Sequence, residues 1–400
     1  KAVDATANTG GVAVDLSNAE NAVFSGGAGD DTLTVTGSKV AHTLGAGDDT
    51  VVVSDAAFAD LAKGFSVDGG EGTDTLQMSA SLAEDFKTAD VATNFEILKL
   101  AGGTGTVNMD NFGDIDHVAV GALNGAVTLN NMGNGGLLEY VAAPGNAVTV
   151  SVKGADTGKT DVLNVTIAND APVGANTLNV ANVETINITA DDTDLGEEGP
   201  VTHTMTLTAN KATNVNISGD AILDLDLTGS ANITKIDASG NTGGLTVSLE
   251  SFADVTLTGS SADDTITMGI GNFITGGEGD DTFTATAAGA DPVAATSFST
   301  IMDFEAGDTL QVGSAAKGVQ KVVVTEEMAF NKAVNTALAA VDTTKLAWFE
   351  YQGNTYVVAD AENGKGDTFV AGDYIVKLNG IVDLSDAVVD SGVLSLPEGA

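Results

Sequence analysis

A nine-residue pattern, G-G-x-G-x-D-x-U-x with U a large apolar residue, limits what this chain can fold into more than any other feature. Gly26–Thr34, Gly69–Gln77 and Gly276–Thr284 fit it fully. Leu44–Val52 fits with its first glycine lost, and Gly259–Thr267 keeps only its first glycine. Gly26 and Leu44 lie 18 residues apart, twice nine, and Gly259 and Gly276 lie 17 apart. A parallel β-roll spends two such repeats on each coil, one turn on either side, so motifs two repeats apart stack directly. Val35–Thr43 then supplies the opposite, degenerate turn. Ordinary Gly-Asp turns hold no such phase.

The residue types follow from what a cation between stacked turns requires. Glycines at positions one, two and four permit positive φ and let carbonyl oxygens converge without Cβ clashes. The aspartate at position six supplies a carboxylate, and the apolar residue at position eight points inward. Two stacked turns together offer roughly six oxygens, which suits Ca²⁺ better than Mg²⁺ with its tighter octahedron and retained waters. The expected ligands are Asp31 with Asp49 in one site and Asp264 with Asp281 in another, with Asp74 heading a further turn. The preceding Asp30, Asp48, Asp263 and Asp280 add carbonyls or carboxylates. Backbone oxygens come from Gly26, Ala28, Leu44, Ala46, Gly69, Glu71, Gly276 and Glu278. Asp303 and Asp308 are placed to close the last turn. The acidic run Asp191–Glu198 lacks EF-hand order and reads as a solvated loop.

Composition agrees with a cation-dependent fold. There are 56 acidic and 15 basic side chains, for a net charge of −41, and every base is lysine. A surface without clustered cations excludes nucleic-acid binding and disfavours anionic lipid. There is no cysteine, so disulfides and thiolate sites are excluded. A hydrophobic fraction of 43% is nevertheless enough to build cores rather than a disordered polyanion. No apolar run is long enough for a transmembrane helix, and Lys1–Gly11 lacks the apolar run of a signal peptide. A start at lysine rather than methionine leads to the expectation of a piece of a longer polypeptide.

From Asn214 onward Ile217, Leu227, Ile236, Val247, Leu257 and Ile266 recur every 9 to 11 residues, each short strand ending in turn chemistry. That period predicts stacked β-coils feeding the second motif cluster. Residues 81–210 read as β-like but less regular. A helix is predicted over 326–341, capped by Thr325, with shorter helices near 55–63 and 80–88. The tail returns to strands, with Trp348, Phe349, Tyr351 and Tyr356 as its core and a carbohydrate-stacking platform as the alternative. No H-E-x-x-H, G-x-S-x-G or phosphate loop occurs. His42 falls in the degenerate turn, and with His117 and His203 it reads as a surface or strand-face residue rather than a base.

At these nonapeptides the chain resembles the RTX (repeats-in-toxin) proteins, over 26–77 and 259–310. Looser patterns resemble the RTX-type surface-layer proteins of Gram-negative bacteria: Asn94-Phe95-Glu96-Ile97-Leu98, Asn182-Val183-Glu184-Thr185-Ile186, Tyr351–Val358 and Val376–Leu384. The resemblance implies several Ca²⁺ ions, type I secretion through an uncleaved C-terminal signal, and self-assembly of β-rich domains into a two-dimensional lattice on the cell surface. It also hints at lipopolysaccharide or a cell-surface glycan as partner. The expectation is an all-β chain of calcium-binding parallel β-roll or β-solenoid segments, with additional β-rich domains and a few short helices. Its segments would be a β-roll over 1–80, a middle domain over 81–210, a solenoid over 211–300 and an α+β cap over 301–400 carrying the secretion signal. The expected role is structural and not enzymatic, without membrane insertion. An RTX adhesin, or the carrier half of a secreted RTX enzyme, stands as alternative.

Overall fold

The structure is a computed structural model that describes residues 1–54, 64–86, 91–169, 171–174, 176–193, 199–288, 298–313, 316–361 and 368–397. They form two compact units, one of Lys1–Thr189 with Met205–Lys211 and one of Ala190–Thr204 with Ala212–Ala400. Both are built almost wholly of short parallel strands wound as a solenoid, so the expected fold class holds.

In the first unit one sheet runs from Ala13–Asp15 through Thr32–Val35, Thr50–Val53, Thr75–Met78, Ile97–Leu100, His117–Val120 and Leu137–Tyr140 to Val162–Ala168. Thr32 pairs with Thr50 in the 18-residue phase and Thr50 with Thr75 across a longer coil, so the motif turns before all three stack. Opposite this sheet the early coils form a second, Ala2–Asp4, Val23–Ser25, Ala41–Ala46, Ser66–Glu71 and Ala92–Thr93. The later coils form a third, with Gly105–Asn108, Val127–Met132, Val148–Val152 and Asn176–Ala181. The less regular stretch beyond residue 81 therefore continues the stack that the motif turns begin. Alternation fixes the inward face. Leu33, Val51, Leu76, Leu98, Val118, Leu138 and Val165 stand in one register column and are all buried.

The second unit repeats the arrangement. Val215, Ile236, Leu257, Ile274 and Ile301 form one buried column, and Val247, Ile266, Phe283 and Leu310 form another. Its sheets end in antiparallel strands. Asn354–Ala359 lies antiparallel to both Leu346–Tyr351 and Tyr374–Leu378, and Val393–Ser395 pairs antiparallel with Thr309–Gln311. Against the first pair packs helix α2, Phe330–Ala339, burying Ala333, Val334, Ala337 and Leu338 beside Phe349, Tyr351 and Tyr356.

Helix α2 is shorter than the predicted 326–341 and begins at Phe330, with Ala329 at its N-cap, whose side chain cannot cap. Thr325 closes a preceding turn instead, its carbonyl accepting the Met328 N–H at 3.0 Å. Near 80–88 helix α1 spans Ala80–Asp85 and is capped by Ser79 Oγ, which accepts the Leu82 N–H. Residues 87–90 and the segment 55–63 lie outside the described residues. Trp348, Phe349, Tyr351 and Tyr356 are buried, which leaves no open aromatic platform at those four side chains. Among the described residues no helix is long and apolar enough to cross a membrane.

Candidate metal centre

Each motif joins a strand of one sheet to a strand of the next, and stacking makes its glycines obligatory for two different reasons. Gly45, Gly47, Gly70, Gly72, Gly277 and Gly279 have φ between 110° and 136°, the left-handed region where a side chain is strained. First-position glycines are needed for close approach instead. A β-carbon on Gly26 would overlap the Leu44 carbonyl and the Asp31 carboxylate, and one on Gly259 the Gly276 carbonyl and the Asp264 carboxylate.

The position-six carboxylates form a ladder from coil to coil. Asp31 Oδ1 accepts the Val12 N–H at 2.8 Å, Asp49 Oδ1 the Asp31 N–H at 2.6 Å, and Asp74 Oδ1 the Asp49 N–H at 2.8 Å. Glu96 Oε2 ends the series by accepting the Asp74 N–H at 2.7 Å. In the second unit Asp264 accepts from Leu245 at 2.7 Å, Asp281 from Asp264 at 2.8 Å, and Asp308 from Asp281 at 3.0 Å. Position-five aspartates run the other way: Asp30 accepts the Asp48 N–H, Asp48 the Thr73 N–H, and Asp263 the Asp280 N–H, at 2.8 to 2.9 Å. Position six is buried at Asp31, Asp49, Asp74, Asp264, Asp281 and Asp308, whereas Asp30, Asp48, Asp263 and Asp280 are exposed.

The second oxygens of Asp31, Asp264 and Asp308 have partners. Asp31 Oδ2 accepts the Gly27 N–H at 3.0 Å, and Asp264 Oδ2 the Ser260 N–H at 2.7 Å. Ser260 Oγ also donates to Asp264 Oδ1, a local replacement for the glycines that this copy lacks. Asp303 sits on the coil after Gly276 and accepts the Gly276 and Gly277 N–H groups at 2.9 and 3.1 Å, while Asp308 Oδ2 accepts from Glu305. The Glu71 carbonyl accepts the Gly47 N–H at 2.9 Å. Asp49 Oδ2 and Asp74 Oδ2 have no hydrogen-bond partner and are buried.

Carboxylates taken out of water beside one another resist ionisation. Burial, helped by neighbouring carboxylates, pushes Asp49, Asp74 and Asp308 up to about 6 and Asp281 up to about 8. Asp264 is raised for the same reason. A divalent cation would supply the positive charge these groups lack, and the donor set fits Ca²⁺: carboxylate and carbonyl oxygens, with the buried Asp49 and Asp74 Oδ2 atoms unpartnered. Among the described residues no three His, Asp or Glu side chains converge as a ready-made metal cluster. A cation held here would therefore draw on the turn carbonyls as well as on paired carboxylates.

The first stack thus gathers Asp31, Asp49 and Asp74, and the second gathers Asp264, Asp281, Asp303 and Asp308. Glu96 joins the first stack unforeseen. Its signal was the N-[FV]-E pattern, in which Asn94 takes a φ of 55° and turns the chain so that Glu96 reaches back one coil. All three histidines lie on strands, in keeping with the strand-face reading, but His42 sits on a strand rather than in the degenerate turn, and His42 and His203 face inward rather than to the surface. His42 is buried on Ala41–Ala46; its Nδ1 accepts the Phe24 N–H at 3.2 Å, its Nε2 lies 2.8 Å from Ser38 Oγ, and burial lowers it to about 4. His203 is buried on Thr202–Ala209 with Nε2 3.0 Å from the Asp191 carbonyl. His117 is half-buried and pairs with Glu139 at 2.8 Å. In the acidic run Asp191–Glu198, residues 194–198 lie outside the described residues. No protein-family model matches the chain, and no curated protein matches it.

Proposed function

We propose that this chain is a structural protein of a bacterial surface layer, folded by Ca²⁺ outside the cell and self-assembling into a two-dimensional lattice. The observation that carries the reading is the pair of Gly-Asp turn stacks with buried, cross-coil-bonded carboxylates, two of which keep an unpartnered oxygen. Ca²⁺ neutralises those groups when bound. The chain's own part is to hold carboxylates and carbonyls in register through the strands on either side of each turn. Extracellular calcium-binding modules typically bind with constants of about 10⁻⁴–10⁻³ M, so such turns stay open in the calcium-poor cytosol and close outside. That suits export of an unfolded chain without reliance on disulfides. Long parallel sheets also offer repeating strand faces for lateral contact.

The test is electron microscopy and light scattering of purified protein with millimolar Ca²⁺ and with excess chelator. Ordered sheets are expected only with calcium. Equal assembly in chelator would overturn the calcium dependence. Monomers that bind glycans in calcium without forming sheets would turn the reading to an adhesin.

A further inference from the structure

We infer that a third cation-binding turn lies at Gly158–Asp161 of the first unit, outside the nonapeptide pattern, with Glu184 on the following coil and Ca²⁺ as the ion it takes. The stretch Lys153-Gly154-Ala155-Asp156-Thr157-Gly158-Lys159-Thr160-Asp161-Val162-Leu163 does not fit the nonapeptide, yet its geometry repeats that of the motif turns.

Three features coincide. First, Asp161 stands two residues before a buried apolar residue, Leu163, at the start of strand Val162–Ala168, as Asp74 stands before Leu76. Second, the Asp161 N–H donates to Glu184 Oε2 at 3.0 Å while its carbonyl accepts the Thr185 N–H at 3.1 Å. Asp74 does the same with Glu96 Oε2 at 2.7 Å and the Ile97 N–H at 3.1 Å. The two glutamates each follow an asparagine with positive φ, Asn94 at 55° and Asn182 at 63°. Third, Asp161 is 6% exposed, its Oδ2 is buried without a hydrogen-bond partner, and that oxygen fills the space a β-carbon on Gly158 would take. Asp31 and Asp264 occupy the same space beside Gly26 and Gly259.

A buried carboxylate oxygen with no donor is costly to leave in place, and burial of charge is tolerated where a counter-charge accompanies it. An oxygen-only environment with a single free carboxylate oxygen selects a hard cation, with water and turn carbonyls completing its shell. This inference rests on the calcium reading of the motif turns.

Isothermal titration of the full chain, with Ca²⁺ itself as probe, separates the two. Asp161→Asn keeps the side chain's size and removes its charge; the variant is expected to bind one ion fewer than the unaltered protein. Gly158→Ala, which keeps the carboxylate and fills its space, is expected to lose the same ion. Asp49→Asn should lose ions of the motif stack and keep this one. In chelator Asp161→Asn should unfold at the same or a higher temperature than the unaltered chain, since it relieves an uncompensated buried charge; a merely structural aspartate would give a lower one. An unchanged ion count in Asp161→Asn would overturn the third turn alone, whereas no calcium binding by the unaltered chain would overturn the motif reading with it.

Discussion

Burial and mutual proximity raise Asp49, Asp74, Asp264 and Asp281 above the ordinary carboxylate range. Asp281 is pushed from 3.8 up to about 8 in the cation-free fold, so between those values the folded chain keeps a proton that the unfolded chain has released. Stability in chelator should therefore be greatest at low pH and fall as pH rises toward about 8. Calcium entering the folded chain must displace that proton, so the calcium midpoint of binding to the folded chain, followed by isothermal titration, should move to lower concentration from about pH 5.5 to about pH 8. Asp281→Asn should flatten that dependence, and a midpoint indifferent to pH would contradict the assignment. Gly276→Ala should destabilise the folded chain by about 1–3 kcal/mol, because its β-carbon would meet the Asp281 carboxylate and the Phe283 ring.

Single coils are the elements of this fold, and each depends on its neighbours for hydrogen bonds and for apolar cover. Leu98 lies between Leu76 and Val118 in the buried column, so Leu98→Ala should cost about 2–5 kcal/mol in chemical denaturation. Glu96→Ala leaves the Asp74 N–H without its acceptor, a loss of about 1–3 kcal/mol, whereas Glu96→Gln keeps an oxygen there and should lose less. Equal losses in the two variants would mean that the Glu96 charge, rather than an acceptor oxygen at that place, is what the Asp74 N–H requires. Helix α2 has a different weakness, since Ala329 offers no side-chain acceptor to its first amides. Ala329→Ser should raise the stability of the C-terminal module by about 1 kcal/mol.

Over the whole molecule a net charge of −41 opposes compaction wherever cations do not offset it. In chelator the radius of gyration from small-angle scattering should shrink as NaCl rises from about 10 mM to about 0.5 M, because screening shortens the range of repulsion. Millimolar Ca²⁺ should contract the chain further than NaCl at matched ionic strength. The excess is the contribution of site binding over screening, and equal contraction by the two salts would remove the basis for specific turns.

Local chemistry made much of this legible in advance. The Gly-Gly-x-Gly-x-Asp spacing is a short-range property, so it gave away the parallel coils, the inward apolar column and the identity of Asp31, Asp49, Asp264 and Asp281 as the candidate ligands. Coil-to-coil register belongs to tertiary structure, because successive coils differ in length: Thr32 pairs with Thr50 after 18 residues, but Thr50 with Thr75 after 25. Glu96 ends the first ladder and Asp161 meets Glu184 across coils of other lengths, and no fixed spacing marks these pairings. The same long-range stacking buried His42 and His203 and started α2 four residues after the helix predicted at 326. The amino-acid order by itself determined that the chain winds into anionic, glycine-turned coils. Only packing decided which acidic groups meet across them, since contact between residues some twenty apart depends on loop length and burial rather than on neighbouring side chains.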